Sequence, residues 1–383
     1  MKKGHGKIMK KTKKTILFPE YFPFIAGGQN VLLNILENLR NEYDVRVLVF
    51  NRGEIERRAA GMGIKCDYMQ AQKNARRRYF WKSIPLYFRL KRYIRENGID
   101  LVYSNGYFTA KLMGPPAKAC GVPVIWHKHQ IITGSADSYL ARDVFRFSAY
   151  ADRMVCVSGA SASSLEAIGV EKSKIIVIHN GINIPAIRRD TRKKMRKKLG
   201  IEGYFVAGTV GYFRKNKGFD TLIDAASAVS KKNSNIKFVI TGSAEPGMEK
   251  YGEFLVEKAA KTKAPVIFTG KMDRYEIMPA FDIFVLPSIH EPFALSVLEA
   301  MSVKLPVVAF RSGGTPEAVK HKKSGLLAKE LTPESLAEAV LEAAGKPGFV
   351  KKAGKSAFLE VKERFSLDDQ MKKIRQIIKE VLK

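Results

Sequence analysis

The sequence predicts an α/β protein built from two doubly wound parallel sheets. Short apolar runs alternate with segments of helical periodicity, and this alternation starts twice, near residues 15 and 204. The 383 residues are enough for two or three domains, and a hydrophobic content of 45% is enough for ordinary cores. Ligands bind at the carboxyl ends of strands in such sheets, so polar residues that follow the strands are the first candidates for function.

The first series opens with a strand, a helix and a second strand. A strand over 15–19 leads through Gly27 and Gly28 into a helix over 31–39, and a strand over 45–50 follows. Glycines at this turn let a ligand or a neighbouring backbone come close, although the same pair also occurs in ordinary turns. Further strands are predicted over 100–103 and 123–129.

The strand over 123–129 ends in two histidines. One residue separates His127 from His129, so both side chains point to the same side of the sheet. Two imidazoles are typical of some metal sites, but no Cys or acidic cluster follows at ligand spacing, and a protein metal site needs three or four ligands. We therefore predict no metal site.

The stretch over 73–95 interleaves basic with aromatic residues. Its cations are Lys73, Arg76, Arg77, Arg78, Lys82, Arg89, Lys91, Arg92 and Arg95, and its aromatics are Tyr79, Phe80, Trp81, Tyr87, Phe88 and Tyr93. Leu86, Leu90 and Ile94 follow helical spacing, which indicates a core helix with a solvated basic face. The alternative is a surface that rests on anionic lipid, where each cation contributes about 1 kcal/mol.

The second series predicts strands over 204–211, 236–242, 266–270, 282–286 and 306–310, with a helix from Phe219 and a final helix over 367–382. Before it, 188–198 is rich in basic residues and has few apolar ones, which predicts an inter-domain linker and a solvated helix.

Three cations follow the first strand of this series. Arg214, Lys215 and Lys217 precede Gly218 at the start of a helix, an arrangement suited to a diphosphate. An exposed polar loop would have the same composition. In an extended loop the side chains alternate, so Arg214 would point to the same side as Tyr212 and Lys215 would point away.

The stretch over 287–301 reads as a loop that leads into a helix, and it carries two glutamates. A helix that begins near Ala294 would place Glu299 on its apolar stripe beside Leu295, and a buried carboxylate there needs a partner. Glu291 precedes the helix N-terminus, where free backbone N–H groups favour an anion. A capping loop with a Glu paired to a Lys is the plainer interpretation.

The two glutamates resemble the E-x7-E signature of retaining glycosyltransferases of family four, which have the GT-B fold. The resemblance implies that Glu291 contacts the donor sugar near its reacting carbon and that Glu299 contacts the ribose hydroxyls. Phe293, Ala294 and Leu295 would lie at the nucleotide diphosphate. Ala294 stands where the family has Gly, and its methyl group narrows the approach of a phosphate.

The resemblance extends to other positions. Residues 151–158 resemble the family's next strand, and residues 177–182 resemble its closing strand and turn. Counted from Pro123, His129 matches a family histidine beside the donor sugar, with His127 as the alternative, and Gly28 matches a glycine turn of the first domain. Lys217 matches a family Lys, whereas Tyr212 replaces the family Arg, and Arg214 is the predicted substitute. Glu291, His129, Lys217 and Arg214 are thus the predicted catalytic residues.

The implied architecture divides the chain into three parts. Residues 1–186 would form an acceptor-side Rossmann-like domain, and residues 187–365 would form a Rossmann-like domain that binds the nucleotide sugar. The final helix over 366–383 would pack back on the first domain. The implied reaction moves a sugar from a nucleotide-diphosphate donor to an acceptor hydroxyl, with retention and without a cofactor. No Asp-x-Asp occurs, so metal independence is predicted.

Composition bears on partners and compartment. The net charge of +30 favours a polyanion, either nucleic acid or an anionic membrane surface. Cys66, Cys120 and Cys156 are odd in number and widely spaced, which favours free thiols in a reducing cytoplasm. We therefore expect a cytoplasmic protein, peripheral on the inner face of the plasma membrane, that acts on a glycan or glycolipid acceptor.

Two other functions fit parts of the pattern. A sugar-nucleotide epimerase or hydrolase of the same fold would turn over the donor without an acceptor. A nucleic-acid-binding protein would explain the charge, but the sequence has no recognised nucleic-acid motif, so no nucleic-acid partner is predicted. The sequence does not specify the sugar, the base or the acceptor.

Overall fold

The computed structural model describes residues 13–71, 84–135 and 137–383. Within these ranges the first sheet contains β1 (Thr15–Glu20), β2 (Asp44–Val49), β3 (Lys65–Tyr68), β4 (Leu101–Asn105), β5 (Val124–Lys128), β6 (Arg153–Cys156) and β7 (Ile175–Val177). Its strands are parallel, in the order β3-β2-β1-β4-β5-β6-β7. The apolar runs of the first series thus form a doubly wound sheet.

Helices cover both faces of this sheet. They are α1 (Gly27–Leu39), α2 (Glu54–Gly61), α3 (Ile84–Glu96), α4 (Tyr107–Lys118), α5 (Tyr139–Ser148) and α6 (Gly159–Glu166). Apolar side chains of α1 and α2 pack in one core cluster with β1 and β2, and those of α3 to α6 pack against the opposite face. Helices α3, α4 and α5 therefore lie side by side in one layer.

The second sheet follows the same plan. In the described chain it contains β8 (Phe205–Val210), β9 (Ile236–Thr241), β10 (Val266–Gly270), β11 (Ile283–Leu286), β12 (Val307–Phe310) and β13 (Gly325–Ala328). Its parallel strands have the order β10-β9-β8-β11-β12-β13. The predicted fold class, two doubly wound parallel sheets, is confirmed.

The remaining helices belong to the second half of the chain. They are α7 (Thr191–Leu199), α8 (Phe219–Lys232), α9 (Glu249–Lys261), α10 (Arg274–Ile277), α11 (Leu295–Ser302), α12 (Thr315–Ala318), α13 (Pro333–Ala344), α14 (Pro347–Arg364) and α15 (Leu367–Val381). The last of them packs in the core of the first sheet, where Met371, Ile374 and Ile378 share a cluster with Ile16 and Phe18.

Two predicted elements differ in the structure. The strand and turn expected over 177–182 begin earlier in the structure, since the strand covers Ile175–Val177. The residues beyond it bind the C-terminal segment: Gly181 N–H donates to Gln370 Oε1 (2.9 Å), and Ile182 forms a bridge with Ser366. The α7 helix is not simply solvated. Its arginines, Arg192 and Arg196, form ion pairs with Asp282 at 2.6 and 2.5 Å.

Part of one prediction cannot be placed. Lys73, Arg76, Arg77, Arg78 and Lys82 lie outside the described residues, as do the neighbouring Tyr79, Phe80 and Trp81. The rest of that stretch forms α3, whose Leu86, Leu90 and Ile94 are buried as their spacing predicts. In the described ranges, no helix combines the length and the apolar character needed to span a membrane.

Candidate active site

The candidate residues lie at, or one strand away from, the point where the strand order of each sheet reverses. This reversal falls between β1 and β4 in the first sheet and between β8 and β11 in the second. Loops that leave neighbouring strands there run in opposite directions, and a crevice opens at the carboxyl ends of the strands. His129 follows β5 in the first sheet, and Lys217 and Glu291 follow β8 and β11 in the second.

Lys217 and Glu291 form an ion pair in the second domain. Lys217 Nζ lies 2.7 Å from Glu291 Oε2, and only 11% of the Glu291 side chain is exposed. Lys217 ends a short 3-10 turn, and Gly218 follows with a φ of 67°. A Cβ at Gly218 would collide with the carbonyl of Pro287, so the glycine is what lets the two loops meet.

The loop that follows β12 holds the backbone of Glu291. Gly314 N–H donates to the Glu291 carbonyl at 2.8 Å, and His290 N–H donates to Ser312 Oγ at 3.2 Å. His290 itself has a φ of 59°, a strained conformation for a residue with a side chain. A Cβ at Gly313 would collide with the Glu291 carbonyl oxygen, and one at Gly314 would collide with the Pro292 carbonyl oxygen, so both positions need glycine.

Glu299 is buried, as its place on the helix stripe predicts, and its partner is an arginine. Arg274 of α10 donates from Nη1 to Glu299 Oε1. Burial raises the pKa of Glu299, and the nearby guanidinium opposes that shift. The partner comes from a segment 25 residues away in sequence, and only the need for some cation was predictable.

Arg214 has a carboxylate partner that the sequence analysis missed. Its Nε donates to Glu245 Oε2, and 42% of the arginine side chain remains exposed. Residues 212–214 are extended, because Phe213 forms a bridge with Ala244, but Lys215 to Lys217 form a 3-10 turn. The prediction of a fully extended loop is therefore wrong from Lys215 onward, and strand-like alternation says nothing about Lys215.

The N-terminus of α11 is uncapped. The helix begins at Leu295 with Ala294 as its extended N-cap residue, and no side chain caps it. Within the described chain, the N–H groups of Leu295 and Ser296 find no hydrogen-bond acceptor. The side chain of Phe293 is buried against His179 and Phe365, so the structure gives it a packing contact between the two halves of the chain.

His129 and Gly28 meet in the first domain. A Cβ at Gly28 would lie 3.2 Å from His129 Cδ2, so the glycine admits the imidazole ring. Burial, together with the Lys128 charge, lowers the pKa of His129 to about 4. The His127 ring contacts the His129 ring with their centroids 4.2 Å apart and their planes tilted by 34°, but His127 is fully buried. Of the two histidines, His129 is the one with exposed surface.

The site residues form separate contacts. Lys217 pairs with Glu291, His129 packs on Gly28, Arg214 pairs with Glu245, and Glu299 pairs with Arg274. Among the described residues, no hydrogen bond or ion pair joins His129 to the residues of the second domain. In the same ranges no three His, Cys, Asp or Glu side chains cluster as metal ligands would.

A carboxylate of the second domain binds a helix N-terminus of the first. Glu317 of α12 accepts hydrogen bonds from Gly159 N–H (2.8 Å) and Ala160 N–H (3.0 Å), where α6 begins, and it lies 2.8 Å from His179 Nε2. Burial alone would raise the pKa of Glu317, but these hydrogen bonds lower it below its usual value. Glu317 is not among the site residues predicted from the sequence.

Comparison with known proteins decides the family. Residues 25–185 match the family model "Glycosyltransferase Family 4", and residues 191–359 match "Glycosyl transferases group 1". Together the two models span most of the chain. The protein is a glycosyltransferase of the family-four type. Its two sheets, each with a strand-order reversal, are those of the GT-B fold.

Relatives of this glycosyltransferase are distant. It is 25% identical over 349 residues to the UDP-Gal:alpha-D-GlcNAc-diphosphoundecaprenol alpha-1,3-galactosyltransferase of Escherichia coli, and the match covers 85% of each chain. It is 26% identical to an uncharacterised glycosyltransferase of Methanocaldococcus jannaschii, over 73% of this chain and 75% of the relative.

A solved structure shows the same fold. HepE of Anabaena, crystallised with UDP and glucose, superposes with a TM-score of 0.85 at 22% identity, over 95% of this chain and 99% of that one. The GT-B fold predicted from the sequence is thus confirmed, and so is the assignment to glycosyltransferases of the family-four type. The roles of individual residues stay predictions.

Proposed function

We propose that this glycosyltransferase moves a sugar from a nucleoside-diphosphate donor to a hydroxyl of a lipid-linked or cell-envelope glycan, with retention of anomeric configuration. The observation that carries the proposal is the Lys217–Glu291 pair, 2.7 Å apart and beside an uncapped helix N-terminus. A carboxylate near the reacting carbon, next to a cation and free N–H groups for the leaving diphosphate, supplies both ends of such a transfer.

Each predicted site residue has a place in this reaction. Lys217, Arg214 and the N–H groups near Ala294 and Leu295 would stabilise the departing diphosphate by charge and hydrogen bonding. Glu291 would face the donor sugar, with His129 on the opposite side of the cleft beside Gly28. Glu299 would accept hydrogen bonds from the ribose. We propose no metal ion, since the sequence lacks Asp-x-Asp. We also propose no cofactor, because the nucleotide sugar is a substrate.

The two halves of the chain would divide the substrates. We propose that residues 1–186, with the terminal helix 366–383, hold the acceptor, and that residues 187–365 hold the donor. The Escherichia coli relative acts, by its name, on a sugar carried by diphosphoundecaprenol. That name supports an acceptor of the same class for this protein, a glycan attached to a lipid.

A lipid-linked acceptor requires contact with a membrane, and the outer layer of the first domain suits that contact. The exposed apolar side chains there are Ile84 and Phe88 on α3, and Tyr139, Leu140 and Phe145 on α5. Two basic residues of α5, Arg142 and Arg146, are also exposed. Aromatic and basic residues on one amphipathic helix favour an anionic membrane surface.

Helices α3 and α5 begin at the same edge of the first sheet as the candidate site. Helix α3 follows β3 and α5 follows β5, so their first turns lie at the carboxyl edge of the first sheet, the edge that bears His129. We propose a cytoplasmic enzyme, peripheral on the inner face of the plasma membrane, that receives its acceptor beside the cleft. The net charge of +30 supports the same partner.

A thermal-shift screen against a panel of nucleotide sugars tests the donor assignment. A ligand at 100 times its dissociation constant stabilises the folded state by about 2.7 kcal/mol, so a true donor should raise the melting temperature by several degrees. The best donor is then offered with and without lipid-linked acceptors. Turnover that is equally fast without an acceptor would instead favour the epimerase or hydrolase.

Sedimentation with vesicles tests the membrane assignment. The double variant Leu140→Ser and Phe145→Ser should sediment less with anionic vesicles than the natural protein, and so should a variant in which Arg142 and Arg146 become Gln. The matched control is Phe254→Ser with Val256→Ser, which changes two exposed apolar residues of α9 in the second domain. Equal sedimentation with anionic and neutral vesicles would contradict the proposal.

A further inference from the structure

A chain of buried polar groups lies behind His129. Glu20 ends β1, Asn105 ends β4, and His129 follows β5, and these three strands are neighbours in the first sheet. Glu20 is 1% exposed and Asn105 is 6% exposed. Their side chains are linked in series, because Asn105 Nδ2 lies 3.0 Å from Glu20 Oε2 and Asn105 Oδ1 lies 2.7 Å from His129 Nε2.

The Glu20 carboxylate accepts hydrogen bonds on both oxygens. Oε1 accepts from the N–H groups of Tyr21 (2.8 Å) and Phe22 (2.9 Å), and both oxygens lie 3.4 Å from Gln29 Nε2. Burial raises the pKa of Glu20, and these hydrogen bonds, with the one from Asn105, oppose the rise. Glu20 Oε2 accepts from Asn105, so the atom of Asn105 that faces it is the amide nitrogen.

A second acceptor fixes the same orientation of Asn105. Its Nδ2 also lies 3.3 Å from the Gly28 carbonyl oxygen, which is an acceptor as well. With both amide hydrogens directed at Glu20 and Gly28, Asn105 presents its carbonyl oxygen to His129. A carbonyl oxygen cannot donate, so His129 Nε2 must carry the proton.

We propose that Glu20 and Asn105 are positioning residues that hold His129 in the Nε2–H tautomer and reserve Nδ1 as a hydrogen-bond acceptor for a hydroxyl of the bound substrate. Nδ1 has no hydrogen-bond partner among the described residues. The role at the substrate rests on the proposed function, whereas the tautomer follows from the contacts of Asn105 with Glu20, the Gly28 carbonyl and His129. Residues that end two neighbouring strands, β1 and β4, thereby orient one ring nitrogen.

The ring is neutral at the pH where the enzyme would work. Burial and the Lys128 charge lower the pKa of His129 to about 4, so near neutral pH one nitrogen carries a proton and the other keeps its lone pair. A group that only accepts on one side favours a ligand that donates there, as a sugar hydroxyl does. A donor with that hydroxyl removed should bind less well.

Nitrogen-15 NMR of histidine-labelled protein tests the tautomer directly. A protonated and an unprotonated ring nitrogen have well-separated shifts, and two-bond correlations to the ring protons tell Nδ1 from Nε2. The chain has six histidines, so the His129 signals are assigned by their loss in His129→Gln. We expect Nε2 protonated and Nδ1 unprotonated at pH 7. A proton on Nδ1 would overturn the proposal.

The variant Glu20→Gln tests whether Glu20 sets the tautomer of His129 through Asn105. The amide oxygen of the new side chain must stay with the N–H groups of Tyr21 and Phe22, so its NH₂ group faces Asn105. Asn105 then has to turn, and its NH₂ group meets His129 Nε2, which becomes an acceptor. We expect the His129 proton to move to Nδ1. The control Glu360→Gln makes the same change at a buried glutamate of α14 and should leave the tautomer unchanged.

Kinetics separate this inference from the proposed function. With a nucleotide-sugar donor, Glu20→Gln should lower turnover at saturation by roughly tenfold, because a misplaced contact at the reacting sugar slows the chemical step. Its affinity for the nucleoside diphosphate should stay within twofold of the natural protein. A changed tautomer with unchanged turnover would refute the positioning role. If the natural protein shows the expected tautomer but transfers no sugar, the proposed function fails and the tautomer stands.

Discussion

Glu291 and Glu299 stand eight residues apart, and each carboxylate contacts a cation from a different part of the second domain. Lys217 comes from the loop after β8, and Arg274 comes from α10. The sequence predicted a loop acid at a helix start and a buried acid in need of a partner. It could not name Arg274 or Glu245, since such partners are chosen by how distant loops pack.

At Glu299, we expect Glu299→Gln to keep the fold and to weaken nucleoside-diphosphate binding about tenfold. A neutral amide accepts hydrogen bonds from ribose hydroxyls less strongly than a carboxylate does, and charged hydrogen bonds contribute about 1.5–3 kcal/mol. Calorimetry with UDP measures the change, and Glu276→Gln, at an exposed residue of α10, is the control. Unchanged affinity would remove Glu299 from the site.

The cations after β8 should differ in importance. Lys217→Ala and Arg214→Ala should each lower kcat/KM by roughly ten- to a hundredfold, because each removes a charged hydrogen bond to the diphosphate. Lys215 is exposed and has no partner among the described residues, so Lys215→Ala should be nearly silent. Steady-state kinetics on the three variants compares them. A silent Arg214→Ala beside a damaged Lys215→Ala would reverse the assignment, and Arg214 would then serve only Glu245.

At the scale of elements, apolar runs located the central strands of both sheets and periodicity located α3, α8, α11 and α15. Two edge strands, β3 and β13, were missed. The sequence of β3 is Lys-Cys-Asp-Tyr, with two exposed residues, so it lacks the apolar run by which its neighbours were found. The 3-10 turn before Gly218 was also missed, because it depends on the contact between that loop and Pro287.

The two histidines at the end of β5, His127 and His129, should make the stability of the fold depend on pH. The pKa of His129 is about 4 in the folded protein against an ordinary 6.5, so between these values the unfolded chain binds the extra proton. Stability should therefore fall as the pH drops from 7 to 4, by about 3 kcal/mol from His129. The pKa of His127 is also lowered by burial, which adds to the loss.

Urea unfolding of the natural protein and of His129→Gln, at pH 7 and at pH 4.5, measures this contribution. The variant should lose less stability over that range than the natural protein. His290→Asn changes an exposed histidine and should keep the natural pH dependence. An unfolding free energy that does not change with pH in the natural protein would contradict the burial of neutral imidazoles.

At the scale of the molecule, the sequence predicted two doubly wound domains and a final helix that returns to the first. The division at 186/187 stays a proposal. Contacts between the halves were not predictable, because they join residues far apart in sequence. The Glu317 carboxylate at the start of α6 is one such contact, and the buried side chain of Phe293 is another.

The Glu317 contact should stabilise the pairing of the two halves above pH 4.5. The pKa of Glu317 is lowered from an ordinary 4.5, so its contribution is full above that pH and is lost as the pH falls through the folded value. Glu317→Gln should lose about 1–3 kcal/mol at pH 7 and less at pH 4. Thermal unfolding at both pH values measures this, with the exposed Glu338→Gln of α13 as control. Equal losses at both pH values would count against an ionic contact.

The stereochemistry of the transferred sugar tests the central claim most directly. The natural protein is given its best nucleotide-sugar donor and a diphosphate-linked lipid acceptor, and proton NMR of the product reads the anomeric configuration. We predict the same configuration in the product as in the donor, and product formation that Glu291→Ala abolishes. A product of inverted configuration, or free sugar released while the acceptor stays unused, would contradict the account.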